Sequence, residues 1–199
     1  MRSRHDAGAK IRKFMVYFIG FIMIGSVFGV VFFGFGSDVT STSKYNGFKF
    51  VNKGSFWSTT VNGREALFTY LPKDVEQILF DNGAADKIRN VFQIDTTSDF
   101  NDTLAQPIAL AQFQMGVTLN NFGVFVRNGF TDNRSNFPVL SCEAATKFVP
   151  VIYFKSSNTT NVHLEENCIV AEALDGADAL RIKDRLVYER LGIIKQQKD

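Results

Sequence analysis

An apolar run near the N-terminus constrains the fold of this chain more than any other feature. Residues Phe14–Phe35 form 22 consecutive positions without a charged side chain. As an α-helix this run would be about 33 Å long, which matches a hydrocarbon core of about 30 Å. A helix also satisfies its own backbone hydrogen bonds inside lipid. The sequence therefore predicts a transmembrane helix over residues 14–36.

The charges that flank this run predict its orientation. Residues 1–13 carry five basic side chains and one acidic side chain, a net charge of +4. The positive-inside rule places this basic tail in the cytoplasm and the rest of the chain outside. We therefore expect a single-pass signal-anchor protein of the cell membrane, with the lipid bilayer as one partner and a C-terminal extracytoplasmic domain.

Two other interpretations of the apolar run fit less well. A cleaved signal peptide has an apolar core of about 7–15 residues and an Ala-x-Ala-like site. Here the run is longer, and Phe35 separates the small residues Gly34 and Gly36. A core helix buried in a water-soluble protein is also normally shorter than this run.

Two glycines inside the run form a candidate helix-pairing face. Gly25 and Gly29 are four residues apart, and Gly36 follows on the same side. Small residues at this spacing let two membrane helices approach closely. A glycine-rich membrane helix also shows the spacing by chance, so both interpretations stay open.

The chain after the run predicts one folded domain that begins with strands. Residues 37–46 predict a polar linker, residues 47–194 the domain, and residues 195–199 a polar tail. Asn62-Gly63 lies between two β-prone runs, which is the strongest local hairpin signal because both turn residues need positive φ. Asn46-Gly47 fits the same pattern, so the domain should open with an antiparallel meander.

Helix and strand signals mix over the remaining residues. Pro72 opens a predicted helix that reaches about Phe80 and ends at Asn82-Gly83. A second predicted helix runs from residue 103 or 106 to Leu119, and a third begins at the capping residue Asp175 and ends at Gly192. Strands are predicted over residues 90–95, 122–127, 149–154, 162–164 and 168–173. The expected fold class is α+β, with one mixed domain, a largely antiparallel sheet and about three helices.

The two cysteines of the chain predict a disulfide. Cys142 and Cys168 both fall in the predicted extracytoplasmic domain, where a pair of thiols is usually oxidised. They are 26 residues apart, and closing a loop of that size stabilises a protein by roughly 3 kcal/mol on the chain-entropy argument. The alternatives are two buried free thiols and a cysteine nucleophile with His163 as its base.

The sequence contains no recognisable catalytic, cofactor or metal motif. One His and two separated Cys in the domain do not form a zinc-binding spacing, and nucleotide-binding and hydrolase motifs are absent. Glu165-Glu166 is a pair of acids, but it lies at a predicted turn, where adjacent acids are normally solvated. We therefore expect no catalytic residue, no cofactor and no metal site.

Three Asn-x-Ser/Thr sequons mark candidate N-glycosylation sites in predicted polar loops. The acceptor residues would be Asn101, Asn133 and Asn158. Surface loops suit this modification where the source organism performs it. A chain rich in Asn and Thr also produces such triplets by chance.

The charge of the predicted domain argues against nucleic acid as a partner. The whole chain has a net charge of +2 and the basic tail accounts for +4, which leaves −2 for the rest. Nucleic-acid binding requires a basic face that neutralises phosphates. We therefore expect no nucleic-acid partner.

Several short stretches resemble small archaeal single-pass membrane proteins of uncharacterised function. The resemblance is carried by Asn62-Gly63 through Phe68, by Pro72 and Val75, by Asn167-Cys168-Ile169, by Asp184–Tyr188 and by Gly192-Ile193. In that family a basic tail and one helix precede a compact α+β domain. The resemblance implies a membrane topology and an archaeal source, and it implies no activity.

These observations together favour a binding role over catalysis. We expect a membrane-anchored extracytoplasmic module that binds other envelope proteins or a second copy of itself and is not an enzyme. One alternative is an anchored hydrolase-like enzyme whose site is assembled from scattered polar residues. Another is a pilin-like filament subunit, although residues 8–13 do not resemble a pilin processing site.

Overall fold

The computed structural model describes residues 14–23, 41–133 and 136–194. The chain divides into two compact units, Met1–Thr40 and Ser41–Asp199. The predicted basic tail, the candidate pairing face Gly25 and Gly29, and the polar tail at 195–199 lie outside the described residues.

The prediction of a transmembrane helix over residues 14–36 is wrong on the described residues. Within the predicted span, the structure describes helix α1 at residues 14–23. No helix in the three described ranges is both long enough and apolar enough to cross a bilayer. Residues 24–36 of the predicted span lie outside the described residues.

The second unit opens with an antiparallel meander, as predicted. Its strands are β1 (Thr42–Tyr45), β2 (Phe48–Asn52), β3 (Trp57–Val61) and β4 (Arg64–Phe68), paired in chain order. Asn46 and Asn62 have φ of 45° and 50°, and the glycines that follow them have φ of 84° and 77°. These are the positive angles that a two-residue hairpin turn requires. The linker prediction for residues 37–46 is wrong for β1, because Thr42–Tyr45 pairs with β2.

The segment after the meander differs from its prediction. Helix α2 (Pro72–Val75) is a single turn, and Leu79–Phe80 forms strand β5. Helix α3 (Asn82–Arg89) follows, so Asn82-Gly83 begins a helix where the sequence predicted the end of one. The physical reason is the side chain of Asp81, whose Oδ1 accepts a hydrogen bond from the Gly83 N–H at 2.6 Å and caps α3.

A six-stranded sheet contains the remaining strands. It is built from β5, β6 (Gln93–Ser98), β7 (Phe125–Phe130), β8 (Val151–Ser156), β9 (Asn161–Glu165) and β10 (Cys168–Ala173), in the order β5-β9-β10-β8-β6-β7. Only β9 and β10 pair antiparallel, and the other four pairings are parallel. The fold is α+β as expected, but the prediction of a largely antiparallel sheet is wrong for this half of the unit. Helices α4 (Ala105–Asn120) and α5 (Gly176–Leu191) bring the described helices of this unit to four, where the sequence predicted about three.

Helix α5 lies between the two sheets. On one side it packs against β10 and the helices α3 and α4. On the other side the ring of Tyr188 stacks on Phe68 with centroids 4.0 Å apart and meets the edge of Phe50 at 6.0 Å. Tyr188 Oη donates a hydrogen bond to the Tyr70 carbonyl at 2.6 Å. The main hydrophobic core therefore surrounds α5, with one sheet on each side.

A buried carboxylate ties α5 to the end of β4. Asp184 is fully buried, and its Oδ2 accepts hydrogen bonds from the backbone N–H groups of Thr69 (2.9 Å) and Tyr70 (2.8 Å). The buried ammonium of Lys183 donates to its Oδ1. Burial raises the pKa of Asp184 above its ordinary range, and the hydrogen bonds and the Lys183 charge oppose this rise. The interior thus holds a carboxylate whose partners are all supplied by the fold.

The predicted disulfide is confirmed. Cys142 and Cys168 are joined, with their Cα atoms 5.1 Å apart, and link a 3₁₀ turn (Cys142–Ala144) to the start of β10. The segment before this turn lies on the sheet, where Thr97 Oγ1 donates to the Leu140 carbonyl at 2.7 Å. Gly129 makes this approach feasible, since a Cβ there would lie 2.3 Å from the Pro138 oxygen.

Candidate functional site

One face of helix α4 is apolar and exposed. Phe113 keeps 63% of its surface exposed, Val117 51% and Leu110 45%. The opposite face of the same helix is also apolar and is buried in the core through Ile108, Met115 and Leu119 among others. A helix that is hydrophobic all round is normally covered on all sides. The exposed face of α4 is therefore unusual for a helix at a protein surface.

A groove lies beside this face. It has a volume of about 350 Å³ and is lined by Phe56, Leu67, Leu110, Phe113, Gln114, Val117, Thr118 and Asn121. Five of these side chains are apolar, and none of the eight is ionisable. Binding sites for small or apolar partners have this composition, a mainly hydrophobic lining with a few polar groups. The groove can hold an apolar group, and its lining offers no acid or base for proton transfer.

Hydrogen bonds fix α4 against the edge of the four-stranded sheet and so hold the groove open. Thr118 Oγ1 donates to the Leu67 carbonyl at 3.3 Å, and Thr69 Oγ1 donates to Gln114 Oε1 at 3.3 Å. Arg64 donates to the Asn121 carbonyl at 2.8 Å, just beyond the end of the helix. These hydrogen bonds engage Gln114, Thr118 and the Asn121 carbonyl, so the apolar side chains make up most of the lining that is left for a partner.

A second groove lies at the N-terminal ends of β6 and β8. Its volume is about 710 Å³, and its lining includes Phe92 and Phe148, which are 82% and 79% exposed. Its lining also includes Asp86, Lys87 and Lys147. Asp86 accepts from Arg89 at 3.0 Å, and Lys87 donates to Asn167 at 2.8 Å. This groove is wider and more polar than the α4 groove, so it satisfies the criteria for an apolar binding site less well.

The face of the six-stranded sheet that points away from the helices carries a polar cluster. Lys155 on β8 forms an ion pair with Glu172 on β10 at 3.0 Å, and Asn161 on β9 donates to Glu172 at 2.9 Å. Burial acts to raise the pKa of Glu172, but the hydrogen bonds from Asn161 and Lys155 outweigh it and lower the pKa. The side chains of this cluster bind one another, as expected for a solvated sheet face.

The disulfide rules out the cysteine–histidine alternative. Both cysteines are in the disulfide, so neither offers a thiolate. His163 lies on β9, where Nδ1 is 2.8 Å from Asn161 Oδ1 and Nε2 is 3.2 Å from Glu165 Oε1. Within residues 14–23, 41–133 and 136–194 no three His, Cys, Asp or Glu side chains are placed to hold a metal ion.

The three candidate glycosylation residues all lie at the surface. Asn101 and Asn158 are exposed in turns, and Asn133 is exposed directly before residues 134–135, which lie outside the described residues. Exposure is the physical requirement for modification, so the three sequons stay candidate sites.

Sequence reasoning missed the α4 face, although a signal was present. Residues 103–126 contain no charged side chain, a second uncharged stretch besides the N-terminal one. The pattern predicted a helix, but it did not show that the fold would cover only one of the two apolar faces of that helix. Phe56 lies directly before β3 and Leu67 lies on β4 of the four-stranded sheet. Both residues join the site only through tertiary packing.

Comparison with known proteins adds no relative to these observations. The predicted resemblance to archaeal membrane proteins therefore stays a prediction. No protein-family model matches this sequence, no curated protein matches it, and no solved structure matches its fold.

Proposed function

We propose that residues 41–199 form a non-enzymatic, extracytoplasmic binding module that captures an apolar surface of a partner in the α4 groove. The single observation that carries this proposal is the exposed apolar face of α4. An exposed hydrophobic patch beside a preformed groove marks interaction sites in soluble domains.

The size of the patch supports an interaction role. At about 150–200 Å² for a fully exposed apolar side chain, the exposed fractions of Phe56, Leu67, Leu110, Phe113 and Val117 amount to about 400 Å². Covering this area contributes about 10 kcal/mol at about 25 cal/mol per Å². Association itself costs about 4–15 kcal/mol, so the patch alone supports moderate affinity.

The disulfide supports a location outside the cytoplasm. Cys142 and Cys168 account for both cysteines of the chain, and they are joined. Disulfides form and persist in oxidising compartments and are rare in reducing ones. The three exposed sequon asparagines agree with such a location.

Site-specific photocrosslinking tests the proposal in cells that express the full chain. Benzoylphenylalanine replaces Phe113 in one variant and Phe148 in the matched control, since both positions carry an exposed Phe. After irradiation we expect a defined covalent adduct from position 113 and none from position 148. The substitution Phe113→Asp should abolish capture by a probe at Leu110, whereas Phe148→Asp should leave it intact. Adducts of equal yield at both positions, or none at 113, would contradict the proposal.

A further inference from the structure

We propose that the α4 groove is filled by α4 of a second copy of this chain, in an antiparallel pairing about a two-fold axis next to Phe113. This inference rests on the proposed function, because it names the partner that the same groove binds. Three independent features of α4 support it: the arrangement of its exposed side chains, its charge and its exposed area.

The exposed side chains of α4 are arranged symmetrically about Phe113. At about 100° per residue, seven positions of the helix point within about 60° of the Phe113 direction. These positions are Gln106, Ala109, Leu110, Phe113, Gly116, Val117 and Asn120. Residues equally far before and after Phe113 therefore occupy mirror positions on the face.

An antiparallel pairing brings these mirror positions together. The two-fold axis passes next to Phe113. A residue that lies three positions before Phe113 on one copy then faces the residue three positions after Phe113 on the other copy, and the same holds for any other distance along the helix. Leu110 then faces Gly116, so a large side chain meets the smallest one. Ala109 faces Val117 in the same way. At the two ends the amide of Gln106 faces the amide of Asn120, and side-chain amides both donate and accept hydrogen bonds.

The absence of charge on α4 fits a self-complementary contact. An isologous interface places the same patch against itself, so any charge near the axis meets a like charge. Helix α4 contains no ionisable side chain in its sixteen residues. The antiparallel arrangement also places the positive N-terminal end of each helix beside the negative C-terminal end of the other, which is favourable. Charge repulsion would prevent many helical faces from pairing with a second copy of themselves, and it does not act on this face.

The exposed area is sufficient for a dimer. The five apolar residues of the patch expose about 400 Å² in each copy, so two copies bury about 800 Å² before any rim is counted. The amides at both ends of the face and Gln114 add polar rim area. The total passes the roughly 1,000 Å² that distinguishes a biological interface from a chance contact. The projecting ring of Phe113 lies next to a groove of about 350 Å³, which accommodates the same ring of the second copy.

Cysteine pairing tests both the partner and the register. The full chain is made as two single variants, Ala109→Cys and Val117→Cys, at exposed positions of α4. The native cysteines are already joined and offer no competing thiol. The proposal expects a disulfide-linked dimer when the two variants are mixed under mild oxidation. Each variant alone should give little product, because equal residues lie about 12 Å apart along the paired helices and a disulfide needs Cα atoms within about 7 Å.

Sedimentation equilibrium of the full chain gives the second readout. Phe113→Asp should weaken self-association by roughly 10- to 100-fold, because it puts two like charges at the centre of the contact. Phe148→Asp is the matched control and should leave self-association unchanged.

The outcomes separate this inference from the proposed function. A chain that stays monomeric, or cross-linking of one single variant as efficient as that of the mixture, overturns the self-pairing. If the chain is monomeric while photocrosslinking from position 113 captures a different protein, the groove is still a binding site and only its assigned partner is wrong. Cross-linking in the mixture alone, together with the loss caused by Phe113→Asp, supports the inference.

Discussion

Replacing the buried carboxylate of Asp184 tests how the fold joins its two sheets. In the substitution Asp184→Ala, the N–H groups of Thr69 and Tyr70 lose the acceptor that lies 2.9 and 2.8 Å away. The buried ammonium of Lys183 loses its counter-ion at the same time. Lys183 keeps only 1% of its surface exposed, so solvent does not replace its lost counter-ion.

The expected loss follows from these two consequences. A buried N–H left without an acceptor costs about 1–3 kcal/mol, and breaking a buried ion pair costs about 3–5 kcal/mol. The contributions share one carboxylate and do not add fully. We therefore expect Asp184→Ala to lower the free energy of unfolding by about 5 kcal/mol, well above the loss of about 1 kcal/mol for an average substitution.

Urea unfolding of the full chain measures this loss. Trp57 is the one tryptophan of the chain and lies in the four-stranded sheet, so its fluorescence reports on that sheet, and circular dichroism reports on the helices. The exposed control Glu143→Ala should change stability by less than about 0.5 kcal/mol. Adding Lys183→Met to Asp184→Ala removes the unpaired ammonium and should recover about 2 kcal/mol. A loss below about 1 kcal/mol for Asp184→Ala, or no recovery in the double variant, would refute the reasoning.

Three further predictions concern the disulfide, a glycine and a tyrosine. Replacing Cys142 and Cys168 together by Ser reopens a loop of 26 residues and should lower the free energy of unfolding by roughly 3 kcal/mol; a reducing agent should reproduce the loss in the native chain and have no effect on the variant. Gly129→Ala places a Cβ against the Pro138 oxygen and Leu140, so it should cost about 1–3 kcal/mol in thermal unfolding, and an unchanged midpoint would show that the segment 136–140 moves aside without cost. Burial, together with the hydrogen bond from Tyr45 Oη to Glu76 at 2.6 Å, raises the pKa of Tyr45 to about 12. The folded pKa exceeds the unfolded value of about 10, so this stabilisation is complete below about pH 10 and is lost between about pH 10 and pH 12. Tyr45→Phe should therefore lose stability less steeply over that window, and parallel curves for the two proteins would count against the assignment.

The features predictable from sequence are those set by local chemistry. The two Asn-Gly turns of the meander are confirmed because their conformation depends on the turn residues themselves. Helix α5 is confirmed for the same reason: Asp175 Oδ1 accepts from the Asp178 N–H at 2.8 Å, and Gly192 ends the helix with φ of 69°. The disulfide depended on only two cysteines and one possible pairing.

The features that sequence missed depend on distant partners. Leu79-Phe80 continues an apparent helical pattern, yet it pairs with Asn161 and Val162 of β9, and no local signal reports that contact. Strand β6 extends to Ser98 through polar residues that the prediction left out, and the Leu140 carbonyl accepts the hydroxyl of Thr97 there. Strand direction also depends on connections that cross the sheet, which is why the parallel pairings were missed.

The sequence likewise could not locate the α4 site. An uncharged helix is the expected signature of a core element, and α4 is a core element on one side. Its second apolar face became a site only because β3 begins and β4 ends beside it and leave it open. Exposure is a property of the assembled fold, and it has no counterpart in residue order.

The central position of α5 has a consequence for folding during synthesis. This helix is the last described element in chain order, yet both sheets pack against it. A ribosome releases the chain from its N-terminal end, so the ten strands that the structure describes emerge before the helix that covers their apolar faces. The emerging strands must stay unaggregated for that interval, and cooperative closure of the whole unit waits for residues 176–191 to leave the exit tunnel.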